Sequence, residues 1–314
     1  MSKVSVIVPI YGVEQYIERC ARSLFEQTLD DIEFIFVNDC TKDNSIEVLN
    51  NVLIQYPSRK TQVKIINHEV NQGLPKARMT GLEYATGEYV AHCDSDDWVD
   101  VTMYEKMYSK AKEDNLDMVI CKFYISDGVN KTEYTHKDSF LKDGSLYFEY
   151  INIWAKLVKK EVYRNELIPV EATMLEDRAL SVQLTFYSNK IGFIEEPLYY
   201  YFQNTNSICR VFTEERCISR FNEATRNVNL IVSFLENNNE ANKYPVDIAR
   251  LKFTARHQIA PITNNLEYYK LWIHSYPEIN KILLFSKKVP FSEKLRFILT
   301  WAHMFPFFRK KISK

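Results

Sequence analysis

Three aspartates fall within four residues, at Asp94-Ser95-Asp96-Asp97. Carboxylates a few Å apart repel, and each raises the pKa of the next unless something positive intervenes. A divalent cation is the simplest remedy. Hard oxygen ligands on one short turn suit Mg2+ or Mn2+ and not zinc. So few carboxylates cannot build an all-protein cage. Mg2+ usually completes its shell with water and substrate phosphates, so the cluster points to a metal bridging to a diphosphate. The competing reading is a solvated Asp-rich turn that caps the next helix.

Two more acidic positions stand out. Asp39 follows the apolar run Ile32–Val37 and Asn38. It is either an Asx turn or cap, or a carboxylate that accepts an N–H from a nucleobase. Tyr11 ends a neighbouring run and could stack on a base or close the core edge. Glu176-Asp177, followed by Arg178, reads by itself as a helix start with an acidic first turn.

The elements around these residues alternate. Val4–Ile10 is short, apolar and β-branched, and Tyr11-Gly12 bounds it, as for a buried strand. Val13, Tyr16, Ile17, Cys20 and Leu24 recur at helical spacing. Further strands are expected at Ile32–Val37, Val63–Asn67, Glu88–Cys93 and Asp117–Phe123. Helices fall between them: one through Leu49, Val52 and Leu53, capped by Asp43 or Asn44, one through Leu74, Ala77 and Gly81, and one capped by Asp100. This order implies a mostly parallel sheet with helices on both faces. Ligands of such sheets bind beyond the carboxyl ends of the strands, at a switch point. Both Asp39 and the Asp94–Asp97 cluster stand at such ends. Beyond residue 125 the pattern is mixed, with possible strands at Trp154–Val158, Ile191–Ile194 and Leu198–Phe202. From about residue 213 it is helical, with one helix ending at Asn237–Asn239 and another opening at Pro245.

Composition narrows the classes. The chain has 314 residues, net charge −1, 46% apolar and 26% charged residues. It can bury a sizeable core, and disorder over most of its length is excluded. The charge balance argues against nucleic acid as a partner. The longest uncharged stretch, Pro197–Cys209, is too short and too polar to span a bilayer. No signal peptide is expected before Val4. The six cysteines form no C-x-x-C, and neither they nor the six histidines show zinc spacing, which suits a reducing, cytoplasmic setting. No G-x-G-x-x-G, P-loop or G-x-S-x-G is present.

Five segments resemble one family in order and spacing: Val4–Tyr11, Val37–Ser45, Asn71-Gln-Gly73 with Ala77-Arg78, Ala85–Tyr89, and Asp94–Trp98. Together they look like the N-terminal region of inverting family-2 glycosyltransferases with the GT-A fold. Trp154-Ala-Lys156, Leu175-Glu-Asp177, Pro197–Tyr201 and Asn206-Ser-Ile208 are similar to its bacterial polysaccharide branch. The resemblance runs to about residue 208. Cys40 stands where the family has Gly, and Met79 where it has Asn.

The resemblance implies an α/β fold of GT-A type: a mostly parallel, Rossmann-like sheet flanked by helices, with a helical C-terminal region. Residues 1–210 would form the catalytic domain and 211–314 the helical part. Pro9, Tyr11, Asp39, Arg78, Asp94 and Ser95 would bind the nucleotide, with Asp39 on the base. Asp96, with Asp94, would hold Mn2+ or Mg2+. Asp177 would be the general base, supported by Glu176. The donor would be a nucleotide sugar, a UDP-sugar first, and the acceptor a glycan or lipid-linked saccharide. Trp154 and Tyr199–Tyr201 are either acceptor contacts or core, and Lys156 is a candidate phosphate contact. Other readings are a nucleotidylyltransferase, which usually shows a Gly-rich loop after its first strand, and a non-catalytic nucleotide- or glycan-binding relative.

The last segment carries a separate signal. Lys287–Lys314 holds eight Lys and Arg against one acid, Glu293, interleaved with aromatic residues. Such a segment could lie on an anionic membrane, placing the protein peripherally on the inner face. The alternative is a docking helix with a solvated basic tail.

Overall fold

The computed structural model describes residues 2–134, 146–149, 151–164, 166–203 and 213–302. Asn206–Ile208 and the tail from His303 lie outside the described residues, as do His136 and Cys209.

The chain begins β1 (Val4–Ile10), α1 (Ile17–Phe25), β2 (Ile32–Asn38), α2 (Ser45–Ile54), β3 (Val63–Asn67), α3 (Leu74–Tyr84), β4 (Tyr89–His92). It continues β5 (Trp98–Val99), α4 (Met103–Glu113), β6 (Met118–Ser126), β7 (Lys131–Tyr134), α5 (Leu146–Glu149), β8 (Lys156–Lys159), α6 (Glu176–Tyr187) and β9 (Ile191–Phe202). The C-terminal helices are α7 (Glu214–Asn237), α8 (Pro245–His257), α9 (Leu266–His274), α10 (Asn280–Phe285) and α11 (Phe291–Trp301).

One sheet joins all the strands in the order β3-β2-β1-β4-β8-β6-β9-β5, with β7 beside β6. β1 pairs in parallel with β2, from Val4↔Ile32 to Ile10↔Asn38, and with β4, from Val4↔Tyr89 to Ile7↔His92. β8 is antiparallel to both β4 and β6, so β6 runs with β4, and β9 runs parallel to β6. β5, β7 and β8 run the other way. The sheet is therefore mixed and mostly parallel. The connection reverses beside β1, which puts the switch point at the ends of β2, β1 and β4.

Every residue of β1 is buried because both faces are covered. Val4, Val6, Val8 and Ile10 face α1, α2 and α4 through Ile17, Leu24, Leu49, Met103 and Tyr104. Ile7 faces the other way, with Ile35, Val37, Val90 and Ala77 of α3. Gly81 lets α3 approach: a Cβ there would sit 2.3 Å from Ile7 Cγ2.

The chain divides into two compact units. One holds residues 1–171 and 180–205, and the other 172–179 and 206–314. The second has its own core, built by Cys217, Phe221, Phe253, Trp272, Leu283 and Phe297 of α7–α11.

Several local expectations change. Trp154 lies in a 3-10 turn, Ile153–Ala155, and the strand starts at Lys156. The two strands expected between Ile191 and Phe202 are one, with a register shift between Cys121 and Phe123 of its partner β6. Thr102, not Asp100, is the N-cap residue of α4, and Asp100 Oδ1 accepts from the Thr102 N–H and hydroxyl.

Candidate active site

The ends of β2, β1 and β4 bring the first carboxylates to one edge of the sheet. Pro9 lies past the last β1–β4 pair, where no ladder donor is required. Tyr11 follows β1 and is 50% exposed. The turn after β1 is tied to the turn after β2: Gly12 N donates to Thr41 Oγ1 at 2.9 Å, and Glu14 N to Asp43 Oδ2 at 2.9 Å.

Asp39 is only 3% exposed and accepts three bonds from its own chain. Gln72 N and Gly73 N reach Oδ1 and Oδ2 at 2.8 Å each, and His68 Nδ1 lies 2.8 Å from Oδ1. Gly73 is the N-cap of α3 at φ +86, so the carboxylate sits on the positive end of that helix. The other ring nitrogen of His68, Nε2, lies 2.9 Å from Thr80 Oγ1, so the ring bridges Asp39 to α3. A carboxylate offers about four acceptor sites, which leaves room for one further donor.

The Asp94–Asp97 turn follows β4 and closes by an Asp97 N to Asp94 O bond at 3.1 Å. Arg78 comes from α3. It is buried, and Nη2 donates to Asp94 Oδ1 at 2.8 Å. Ser95 is buried too. Asp97 is held from β9: the Tyr199 hydroxyl donates to Oδ2 at 2.7 Å and Phe202 N to Oδ1 at 2.7 Å. The same hydroxyl accepts from Asp94 N at 3.1 Å. Arg19 donates to the Asp96 carbonyl at 3.0 Å, and its guanidinium lies over Trp98 and Phe202, 3.7 and 4.5 Å from the ring centres.

Burial pushes the Asp96 carboxyl above its ordinary range, and burial with the charges of Asp96 and Asp94 pushes Asp97 well above it. The Asp96 side chain makes no ion pair among the described residues. No three His, Cys, Asp or Glu of those residues form a complete metal set. A raised, unpaired carboxylate beside two others fits a cation that takes one or two protein oxygens and fills its shell with phosphate and water.

The other predicted residues each belong to one of the two units. Glu176 and Asp177 open α6 after Leu175, which takes a positive φ of 66°, and they belong to the second unit. The segment before them is pinned to α7: Asn227 Nδ2 donates to the carbonyls of Ala172 and Met174 at 2.7 and 2.8 Å, and Met174 N to Glu223 Oε2 at 3.1 Å. Trp154 and Tyr199 are buried and stacked at 4.2 Å, and Tyr201 stacks on Trp154 at 5.7 Å. Lys156 is buried, donating to the Asn152 carbonyl at 2.7 Å.

Sequence reasoning did not find His68, Arg19, or the hydroxyl role of Tyr199. His68 follows β3 directly, and a polar residue at the end of a parallel strand was the available signal.

Comparison with known proteins agrees with this architecture. The family model described as Glycosyl transferase family 2 matches residues 5–181. A Bacillus subtilis protein described as uncharacterized glycosyltransferase EpsJ is 32% identical over 225 residues, 66% of this chain and 63% of that protein. The matched stretch thus spans less than two thirds of that relative. A crystal structure of S. aureus TarS residues 1–349 with UDP superposes at TM-score 0.68 and 19% identity, covering 98% of this chain and 91% of that one. A mannosyltransferase from Pyrobaculum calidifontis, in complex with GDP-Man and Mn2+, superposes at 0.59 and 14% identity over 98% of this chain and 88% of that one. These likenesses establish the fold as GT-A. With the family model covering more than half of its residues, the chain belongs to glycosyl transferase family 2.

Proposed function

We propose that this protein transfers a sugar from a nucleoside diphosphate sugar to an acceptor hydroxyl with inversion, in the synthesis of a bacterial surface polysaccharide. The observation that carries the reading is the meeting of Tyr11, Asp39 and the Asp94–Asp97 turn at one switch point. UDP-sugars are the first choice of donor, since a carboxylate at Asp39 suits the N3–H of uracil and the TarS structure holds UDP.

Tyr11 stacks on the base, and Asp39 accepts from it while Gln72 N, Gly73 N and His68 fix its orientation. Pro9 shapes the pocket floor. Asp94, held by Arg78, and Ser95 line the ribose and diphosphate. Asp96, with Asp94, would hold Mn2+ or Mg2+, which supplies Lewis-acid stabilisation of the departing diphosphate. Mn2+ in the Pyrobaculum relative supports this choice. Asp177 takes the proton of the attacking hydroxyl as general base, and Glu176 orients it. Inversion needs no covalent intermediate, so no nucleophilic side chain is required. The acceptor is a glycan or a lipid-linked saccharide.

Calorimetric titration of UDP, GDP, CDP and dTDP, each with Mn2+ and with chelator, tests the site. Metal-dependent binding of one nucleotide is expected, followed by its release from the matching nucleotide sugar when acceptor is added. Binding of none of the four, with or without metal, would sink the reading. Binding without turnover of any donor would favour a non-catalytic relative.

A further inference from the structure

The helix α11 is apolar on two sides. Its inner side carries Phe297 and Thr300, both buried, with Phe297 against Trp272 at 5.6 Å. Its outer side carries Phe291, Ile298 and Trp301, which are 77%, 45% and 60% exposed. At about 100° per residue, Phe291, Leu295 and Ile298 share an arc of roughly 60°, and Trp301 borders it. Phe285, at the end of the neighbouring α10, is 80% exposed. Soluble surfaces seldom gather so many large apolar side chains without a partner.

From Lys281 onward the charged side chains are cationic but for Glu293. Lys281, Lys287 and Lys294 make no ion pair among the described residues. Glu293, the one acid from Lys281 onward, is held by Arg250 at 2.7 Å. Residues 287–314 carry a formal charge of +7 in a chain of total −1, which leaves −8 on the preceding 286 residues.

We propose that this outer face of α11, with Phe285 and the lysines of α10, α11 and the turn between them, seats the protein on an anionic lipid bilayer. A face with apolar centre and cationic rim matches the boundary between acyl chains and acidic headgroups. α11 is about 16 Å long, half the thickness of a bilayer core, so it lies in the interface. No described helix is long and apolar enough to cross. A second copy is a poor occupant, because two such faces would bring lysines against lysines. The tail after His303 is a poor one too: it adds Arg309, Lys310, Lys311 and Lys314 and no acid, so it extends the charge and does not neutralise it. Lipid binding stands or falls independently of sugar transfer.

Vesicle flotation of the full chain tests this. It is expected to float with phosphatidylcholine vesicles containing phosphatidylglycerol, not with phosphatidylcholine alone, and to be released by high salt. The triple variant K281Q/K287Q/K294Q should bind on the order of a hundredfold more weakly, at about 1 kcal/mol per cation. F291S/I298S/W301S should stay in solution, with its thermal melt and UDP–Mn2+ binding unchanged. If that variant is misfolded, W301F serves: brominated lipid should quench the parent's tryptophan emission more than the variant's. The proposal is overturned if the parent fails to float, floats equally without anionic lipid, or floats undiminished in the apolar variant. It is also overturned if the parent is a dimer that Ile298→Ser dissociates and neither form floats.

Discussion

The Tyr199 hydroxyl reaches 102 residues back along the chain to donate to Asp97 at 2.7 Å. It accepts from Asp94 N at 3.1 Å in the same geometry, so one oxygen fixes both ends of the carboxylate turn. The direction of the chain is set: N–H to hydroxyl, hydroxyl to carboxylate. Asp97 is therefore held as an acceptor in a site where burial and two neighbouring carboxylates oppose its charge. Its bonds hold the turn, and the proposed function assigns the cation to Asp96 beside it.

Tyr199→Phe tests that division of labour. The change leaves Asp97 Oδ2 and the Asp94 N–H without this partner, which costs about 1–3 kcal/mol. The variant should stay folded with a lowered melting temperature. Its UDP affinity in Mn2+ should fall by about tenfold or more, while affinity in chelator stays constant. An unchanged metal-dependent increment would show that the hydroxyl supports only the core.

Asp96 and Asp177 should fail in opposite ways. Asp96→Ala should remove the metal-dependent part of nucleotide binding. Asp177→Asn should leave UDP binding intact and lower turnover by roughly 10²–10⁴-fold, the usual worth of a general base. The measurement is calorimetry beside a UDP-release assay. Loss of nucleotide binding in Asp177→Asn would count against its role as base.

Much of this was legible in the sequence for a physical reason. Strands covered on both faces must be apolar at every position, so β1 and β2 stand out as continuous runs. β5, with two residues, and β7, exposed throughout, bury too little to leave a pattern. Glu195-Glu196-Pro197 split β9 to the eye, whereas the fold absorbs them as a register shift against β6. The acidic residues were visible because their chemistry is local. The groups that hold them were not: His68 meets Asp39 from 29 residues away, Arg19 meets Asp96 from 77, and Tyr199 meets Asp94 from 105. Only pairing of the strands brings those together.

Glu33 makes a pH prediction. It lies inside β2, nearly fully buried, and accepts from Ser5 Oγ at 2.6 Å, Lys64 Nζ at 2.9 Å, and Thr86. Burial pushes its carboxyl up, but the bonds from Ser5, Lys64 and Thr86 outweigh burial and hold it below its ordinary value. A depressed carboxylate stabilises the fold above its unfolded pKa, about 4.3, and that contribution is lost as pH falls through the folded value. Glu33→Gln should therefore cost about 2 kcal/mol near neutral pH, with the gap to the parent shrinking below about pH 4.3. Urea melts from pH 7 down to about pH 2 read it; a gap that widens toward acid would refute the assignment.

Cys40 carries the last prediction. It takes φ +58 directly after Asp39, in the left-handed region that costs a side chain about 1–2 kcal/mol. Glycine relieves that strain but adds about 0.4–1 kcal/mol of unfolded-chain entropy to be lost on folding. Cys40→Gly should thus stabilise the protein by about 0.5–1 kcal/mol in a chemical melt, with nucleotide binding retained. The thiol gives a second readout. Cys20, Cys93, Cys121 and Cys217 are buried, whereas Cys40 is half-exposed beside the proposed base pocket. In a Cys209→Ser background, maleimide should label one cysteine quickly, and UDP with Mn2+ should slow that reaction. Labelling at the same rate with and without nucleotide would place the base away from Asp39 and require a different pocket for it.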